Sequence, residues 1–149
     1  MKINTKYQGS IEIADSEIIR FEYGLPGFSD EKRFVISPFA EGTPFFILQS
    51  VDSPSLAFVA ADPFLFYKDY DFTLADSAAE QLEIESGEEA AVYAVLTLKD
   101  PFEQTTANLQ APIIINHRKQ KGKQLVLDDS PYGTSHLLII QPSQLEREG

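Results

Sequence analysis

FFILQSVDSPSLAFVAA, residues 45–61, decides the fold class. Two apolar runs, Phe45–Ser50 and Leu56–Ala61, flank Asp52-Ser53-Pro54-Ser55, a polar stretch rich in turn formers. The spacing suits a β-hairpin with a four- or five-residue loop. Neither run alternates strictly between apolar and polar, so both strands are expected to be buried on both faces.

Working outward towards the start of the chain, the pattern stays β. Lys2–Tyr7 alternates, Gly9 breaks it, Ile11–Ile13 and Glu17–Glu22 read as further strands around an Asp15-Ser16 turn, and Phe34–Ile36 runs into Pro38. Towards the end of the chain, Asp62-Pro63 stops the hairpin's second strand, because proline lacks a ladder donor and restricts the residue before it. The period then changes. Thr73 and Asp76 form a candidate capping box, with Leu74, Ala78 and Leu82 at helical spacing, which predicts one short helix near 73–83. Ala90–Leu98 is a strand closed by Pro101. Ile113–Asn116 and Gln124–Leu127 flank a basic turn, Arg118–Lys123, where Gly122 is expected to supply the positive backbone angle. Leu137–Ile140 adds a last strand before a polar tail from about Gln141 that is expected to be mobile. Many short strands with one helix predict an all-β, mainly antiparallel, barrel-like single domain spanning 1–149 around one core.

The chain of 149 residues has 43% hydrophobic residues and no cysteine, which excludes disulfides and thiolate metal sites. With no signal-like start and no apolar run of membrane-spanning length, a cytoplasmic location is expected. Its 23 acids and 12 Lys and Arg give a net charge of −11. Four of those cations lie in HRKQKGK, residues 117–123, and the rest of the chain carries −15. Such a surface repels a phosphate backbone, so direct nucleic-acid binding is not expected, whereas a basic protein partner is electrostatically matched.

Catalytic constellations are sparse. His117 sits beside Arg118 and Lys119, whose positive charge disfavours its protonation. His136 precedes an apolar strand and reads as a hydrogen-bonded packing residue. The eight acids and no base of Asp69–Glu89 read as a solvated face. No cofactor, metal site or catalytic residue is assigned. Two competing readings use the barrel differently: a small hydrolase or isomerase built on His136 with Asp128 or Asp129, and a ligand-binding barrel. In Asp62–Phe72, DPFLFYKDYDF, rings are interleaved with acids, a mixture that suits a protein-binding surface and equally suits rings packing the barrel and its helix; Phe64, Phe66 and Tyr70 cannot all face one core from a strand, so at least one is expected to be partly exposed.

TTANLQAPIIIN, residues 105–116, leads a polar run through Ala-Pro into three isoleucines. Asn108 and Asn116 bracket this buried strand and are placed to satisfy its free backbone groups. Together with Phe21, Gly24-Leu25-Pro26-Gly27-Phe28, Phe45-Phe46-Ile47-Leu48-Gln49-Ser50, Asp62-Pro63, Asp69-Tyr70, Gln124, Tyr132 and His136, this segment resembles the FliW family of flagellar assembly factors, in order over nearly the whole chain. The resemblance implies a non-enzymatic regulatory protein, monomeric when free. It would bind the C-terminal region of flagellin and, when released from it, the translational repressor CsrA. The two partners would exclude one another, and CsrA would be antagonised allosterically, away from its RNA groove. Matching the family motifs gives Pro26, Gly27, Phe28, Asn108, Leu109, Pro112 and Asn116, for many of which a structural role is the first reading; Pro26, Phe28, Asn108 and Leu109, with Phe66 and Tyr70 of the ring-rich segment, are the candidate partner-binding residues. Phe28 and Leu109 lead, as apolar side chains in loops flanked by turn formers.

Overall fold

A computed structural model of the chain describes residues 1–128 and 130–138. Eleven strands occur in chain order: β1 (Lys2–Asn4), β2 (Ser10–Glu12), β3 (Ile19–Arg20), β4 (Arg33–Pro38), β5 (Phe45–Ser50), β6 (Ala57–Ala61), β7 (Ala91–Thr97), β8 (Thr106–Ala107), β9 (Ile113–Asn116), β10 (Lys121–Gln124) and β11 (His136–Leu137). Among the described residues one α-helix, α1 (Asp76–Gln81), lies between β6 and β7, flanked there by single 3-10 turns at Pro63–Leu65 and Gly87–Glu89.

The predicted hairpin is present. β5 and β6 pair antiparallel, with Phe45 opposite Ala61 and Gln49 opposite Ala57. From it the sheet extends through β4 and β3 on one side and β7 on the other, while β9 pairs with both β7 and β10. A parallel contact between β10 and β3 completes the ring, giving a closed seven-stranded barrel of β3, β4, β5, β6, β7, β9 and β10. β8 and β11 extend the sheet beyond β7, and β1 and β2 form a separate hairpin.

Three apolar clusters replace the single core expected. The barrel interior holds Ile19, Phe21, Phe34, Leu48, Ala60, Tyr93, Ile113 and Ile115, which come from six of the seven barrel strands and the residue after β3. A second cluster lies outside the wall, where Val59, Ala61, Ala94 and Leu96 meet Tyr70, Ala107, Leu109 and Leu138. In the third, the β1–β2 hairpin packs Ile3 and Ile13 on Val35, Val51 and Ile18. Consecutive residues such as Ala60 and Ala61 therefore serve different clusters. This is why the apolar runs lack alternation: the barrel wall is covered inside and, locally, outside.

Three local expectations need correction. No side chain caps α1. Its N-cap is Ala75, not Thr73, and the helix is held instead by burial of Ala78 and of Leu82 just beyond it. The basic turn closes earlier than expected, so that β10 begins at Lys121, and Gln120 rather than Gly122 takes the positive angle (φ 56°). Gly122 is needed for another reason: a Cβ there would stand 2.5 Å from the Phe21 ring. The expected last strand, 137–140, is observed as β11 at His136–Leu137. Residues 139 and 140 and the tail lie outside the described residues.

Candidate binding surfaces

The Leu25-Pro26-Gly27-Phe28 loop is a closed turn. Leu25 and Phe28 exchange backbone hydrogen bonds (3.3 and 2.7 Å) around Pro26 and Gly27, whose φ of 84° suits glycine at the third turn position. Gly24 (φ 65°) packs under the turn, where a Cβ would lie 2.5 Å from the Phe28 carbonyl oxygen. Leu25 is buried and anchors the loop, leaving Pro26 exposed and Phe28 41% exposed. The Phe28 ring meets Phe58 edge to face, with centroids 5.8 Å apart.

Asn108 reaches the same place from the far end of the sequence. Its Oδ1 accepts from the Gln110 and Ala111 amides (3.1 and 3.0 Å), which shapes the connection into β9. Pro26, Phe58, Asn108, Gln110 and Val126 line one groove of about 400 Å³. Three of the six sequence-predicted residues thus converge: Pro26 and Asn108 in the groove wall, and Phe28 on Phe58 at its rim. Phe58 and Val126 were not singled out from sequence, because a strand aromatic and a loop valine carry no local signal of a groove formed by distant segments.

The other three lie elsewhere. Leu109 is 1% exposed inside the second cluster, so its expected role as a loop side chain offered to a partner is corrected. A loop backbone does not make a loop side chain free. Tyr70 is also buried and donates its hydroxyl proton to the Leu109 carbonyl (2.8 Å), and burial pushes its phenol well above the ordinary tyrosine range. Phe66 is half-buried and stacks on Phe45 at 5.9 Å. The ring-rich segment does leave side chains exposed, but they are Phe64 and Leu65, the latter 67% exposed.

Among the described residues, the catalytic alternative finds no assembled site. His136 Nε2 accepts from the Gly133 amide (2.8 Å), and the ring lies edge-on to Tyr67 and Tyr132, as a packing residue would. Asp128 makes no hydrogen bond to it, and Asp129 lies outside the described residues. His117 shares a 2.9 Å hydrogen bond with the Tyr93 hydroxyl. Its pKa is pushed down, as expected from sequence, but by partial desolvation rather than by the neighbouring cations. Asn108 and Asn116 both satisfy backbone groups as anticipated. The Asn116 amide, fully buried, donates to the Leu82 and Glu83 carbonyls (2.9 and 3.2 Å).

Comparison with known proteins places the whole chain. The family model described as FliW protein matches residues 2–138. The flagellar assembly factor FliW of Geobacillus kaustophilus (strain HTA426) is 53% identical over 139 residues, which cover 93% of this chain and 96% of that protein. The Bacillus subtilis (strain 168) flagellar assembly factor FliW is 50% identical over 136 residues, covering 91% and 95%. A crystal structure of the flagellar assembly factor FliW superposes with a TM-score of 0.91 at 48% identity, covering 95% of this chain and 99% of that one. Sequence and barrel agree along the same residues: the chain belongs to the FliW family.

Proposed function

We propose that this chain is a non-enzymatic regulatory binder that couples flagellin synthesis to flagellar assembly. It binds the C-terminal region of flagellin. When free of flagellin it binds the translational repressor CsrA and antagonises it allosterically, so the two partners are mutually exclusive. Membership of the FliW family over residues 2–138 carries this reading. Two further observations support it. The net charge of −11 favours encounter with a basic RNA-binding protein and disfavours RNA itself. The groove of Pro26, Phe58 and Asn108, with a partly exposed aromatic at its rim, has the apolar anchors and polar edge that protein interfaces use. No helix among the described residues is long and apolar enough to cross a membrane, and the reading has the protein acting in the cytoplasm, as a monomer when free.

Affinity capture of purified flagellin and CsrA, each alone and then mixed, tests the proposal. Capture of either alone, with flagellin displacing CsrA from the mixture, is expected. Capture of neither contradicts it.

A further inference from the structure

Six of the twelve Lys and Arg residues line two adjoining clefts where β3 meets β10: Arg20, Lys32, Arg33, Lys119, Lys121 and Lys123. Only Glu22 and Asp15 oppose them in those linings. The register makes the concentration sharper. Arg20 on β3 is paired with Arg33 on β4 and with Lys121 on β10, so three cations stand in a row across three strands. Like charges on neighbouring strands cost stability unless counter-charges sit among them. Both ends of the row are neutralised, Arg33 by a two-pronged ion pair with Asp52 and Lys121 by Glu83 at 2.6 Å. Arg20, in the middle and exposed, has no acidic partner among the described residues.

The cleft continues from this row along a largely apolar wall to Tyr23, which is 58% exposed. Lys123 reaches over the Tyr23 ring, 4.7 Å from its centroid, and donates to Gln81 at the end of α1 (2.6 Å). A guanidinium with unused donors is suited to receive a carboxylate in two-pronged fashion. The exposed part of the Tyr23 ring offers surface to an apolar neighbour of that carboxylate.

We propose that this cleft is a docking site for an acidic peptide segment of a partner protein, with a carboxylate on Arg20 and an apolar side chain beside Tyr23. A small inorganic anion would use the cation row and leave the Tyr23 end empty. An extended polyanion such as RNA would have to run past a surface that carries most of the chain's acids, an excess that repels phosphate. The site is separate from the Pro26–Asn108 groove and does not depend on what occupies that groove.

The test uses a fluorescein-labelled peptide of alternating glutamate and leucine, its glutamine and leucine counterpart, inorganic phosphate and a short oligouridylate, with the intact chain at low salt. We expect the acidic peptide to bind at least tenfold tighter than its amide counterpart and to shift the amide resonances of Arg20–Tyr23 and Lys119–Lys123. Arg20→Glu and Lys119→Glu, both at exposed positions, should each weaken it at least fivefold without lowering the thermal midpoint, which Arg20→Glu is expected to raise by relieving the cation row. Equal binding of the two peptides, indifference to both substitutions, displacement by millimolar phosphate, or tighter binding of the oligouridylate would each overturn the proposal.

Discussion

Gly122 and Leu109 show how much a single position depends on what lies opposite it. Gly122 is in a regular strand, yet any side chain there meets the Phe21 ring, which is itself fully buried and has nowhere to go. Gly122→Ala is expected to cost about 1–3 kcal/mol in urea unfolding, the usual penalty for overpacking a closed core. An unchanged midpoint would mean that the ring can move aside. For the candidate site, Leu109 and Phe28 should now separate. Leu109→Ala removes a buried side chain and is expected to lose about 2–5 kcal/mol of stability. Phe28→Asp should weaken capture of flagellin or CsrA while leaving the thermal midpoint nearly unchanged. A large loss of midpoint for Phe28→Asp would return that ring to a structural role. From sequence, the two residues looked alike, since both are apolar and flanked by turn formers. What separated them was the Tyr70 ring and the second cluster, which the 63–72 segment carries across from another part of the chain.

At the scale of elements, strands defined by their own composition were legible and those defined by neighbours were not. Phe45–Ser50 and Ile113–Asn116 match their sequence limits, because dense apolar runs bounded by turn residues leave little freedom. β10 was displaced towards the start of the chain because its pairing with β9, Lys121 opposite Asn116, fixes the ladder and overrides the more apolar run beyond Gln124. The turn between these strands also carries a titratable contact. His117 bonds to Tyr93 on β7, and its pKa is held below the ordinary histidine value. Below about pH 6.5 the unfolded chain takes up a proton that the folded one resists, so stability should fall as pH drops from there. Thermal melts of the chain and of His117→Gln between pH 7.5 and 5 check this. The substitution should flatten the decline, and an identical slope would place its origin elsewhere. At the alkaline end, burial raises Tyr67 to about 12. Its stabilising contribution is complete below pH 10 and is lost as pH climbs towards that value.

For the whole molecule, the closed barrel and the acid excess work on different tasks. The barrel was legible as a class, from many short strands and one helix. Closure through a single parallel pair between β3 and β10 was not, because nothing local in two residues of β3 announces a partner a hundred positions away. The same seam gathers half of the cations, which turns an average of −11 into an acidic body with one basic cleft. If the acidic body steers encounter with CsrA, the association rate should fall steeply between low and physiological salt, while dissociation changes little. A salt-independent association rate, measured by stopped flow, would remove steering from the account.

If one barrel links flagellin to repression through competition for itself, the mobility of a CsrA–RNA complex in a native gel must respond to both proteins. Adding the chain should release the RNA from CsrA, and adding flagellin on top should restore the complex. RNA that stays bound to CsrA at saturating chain, or release that flagellin fails to reverse, would contradict the account.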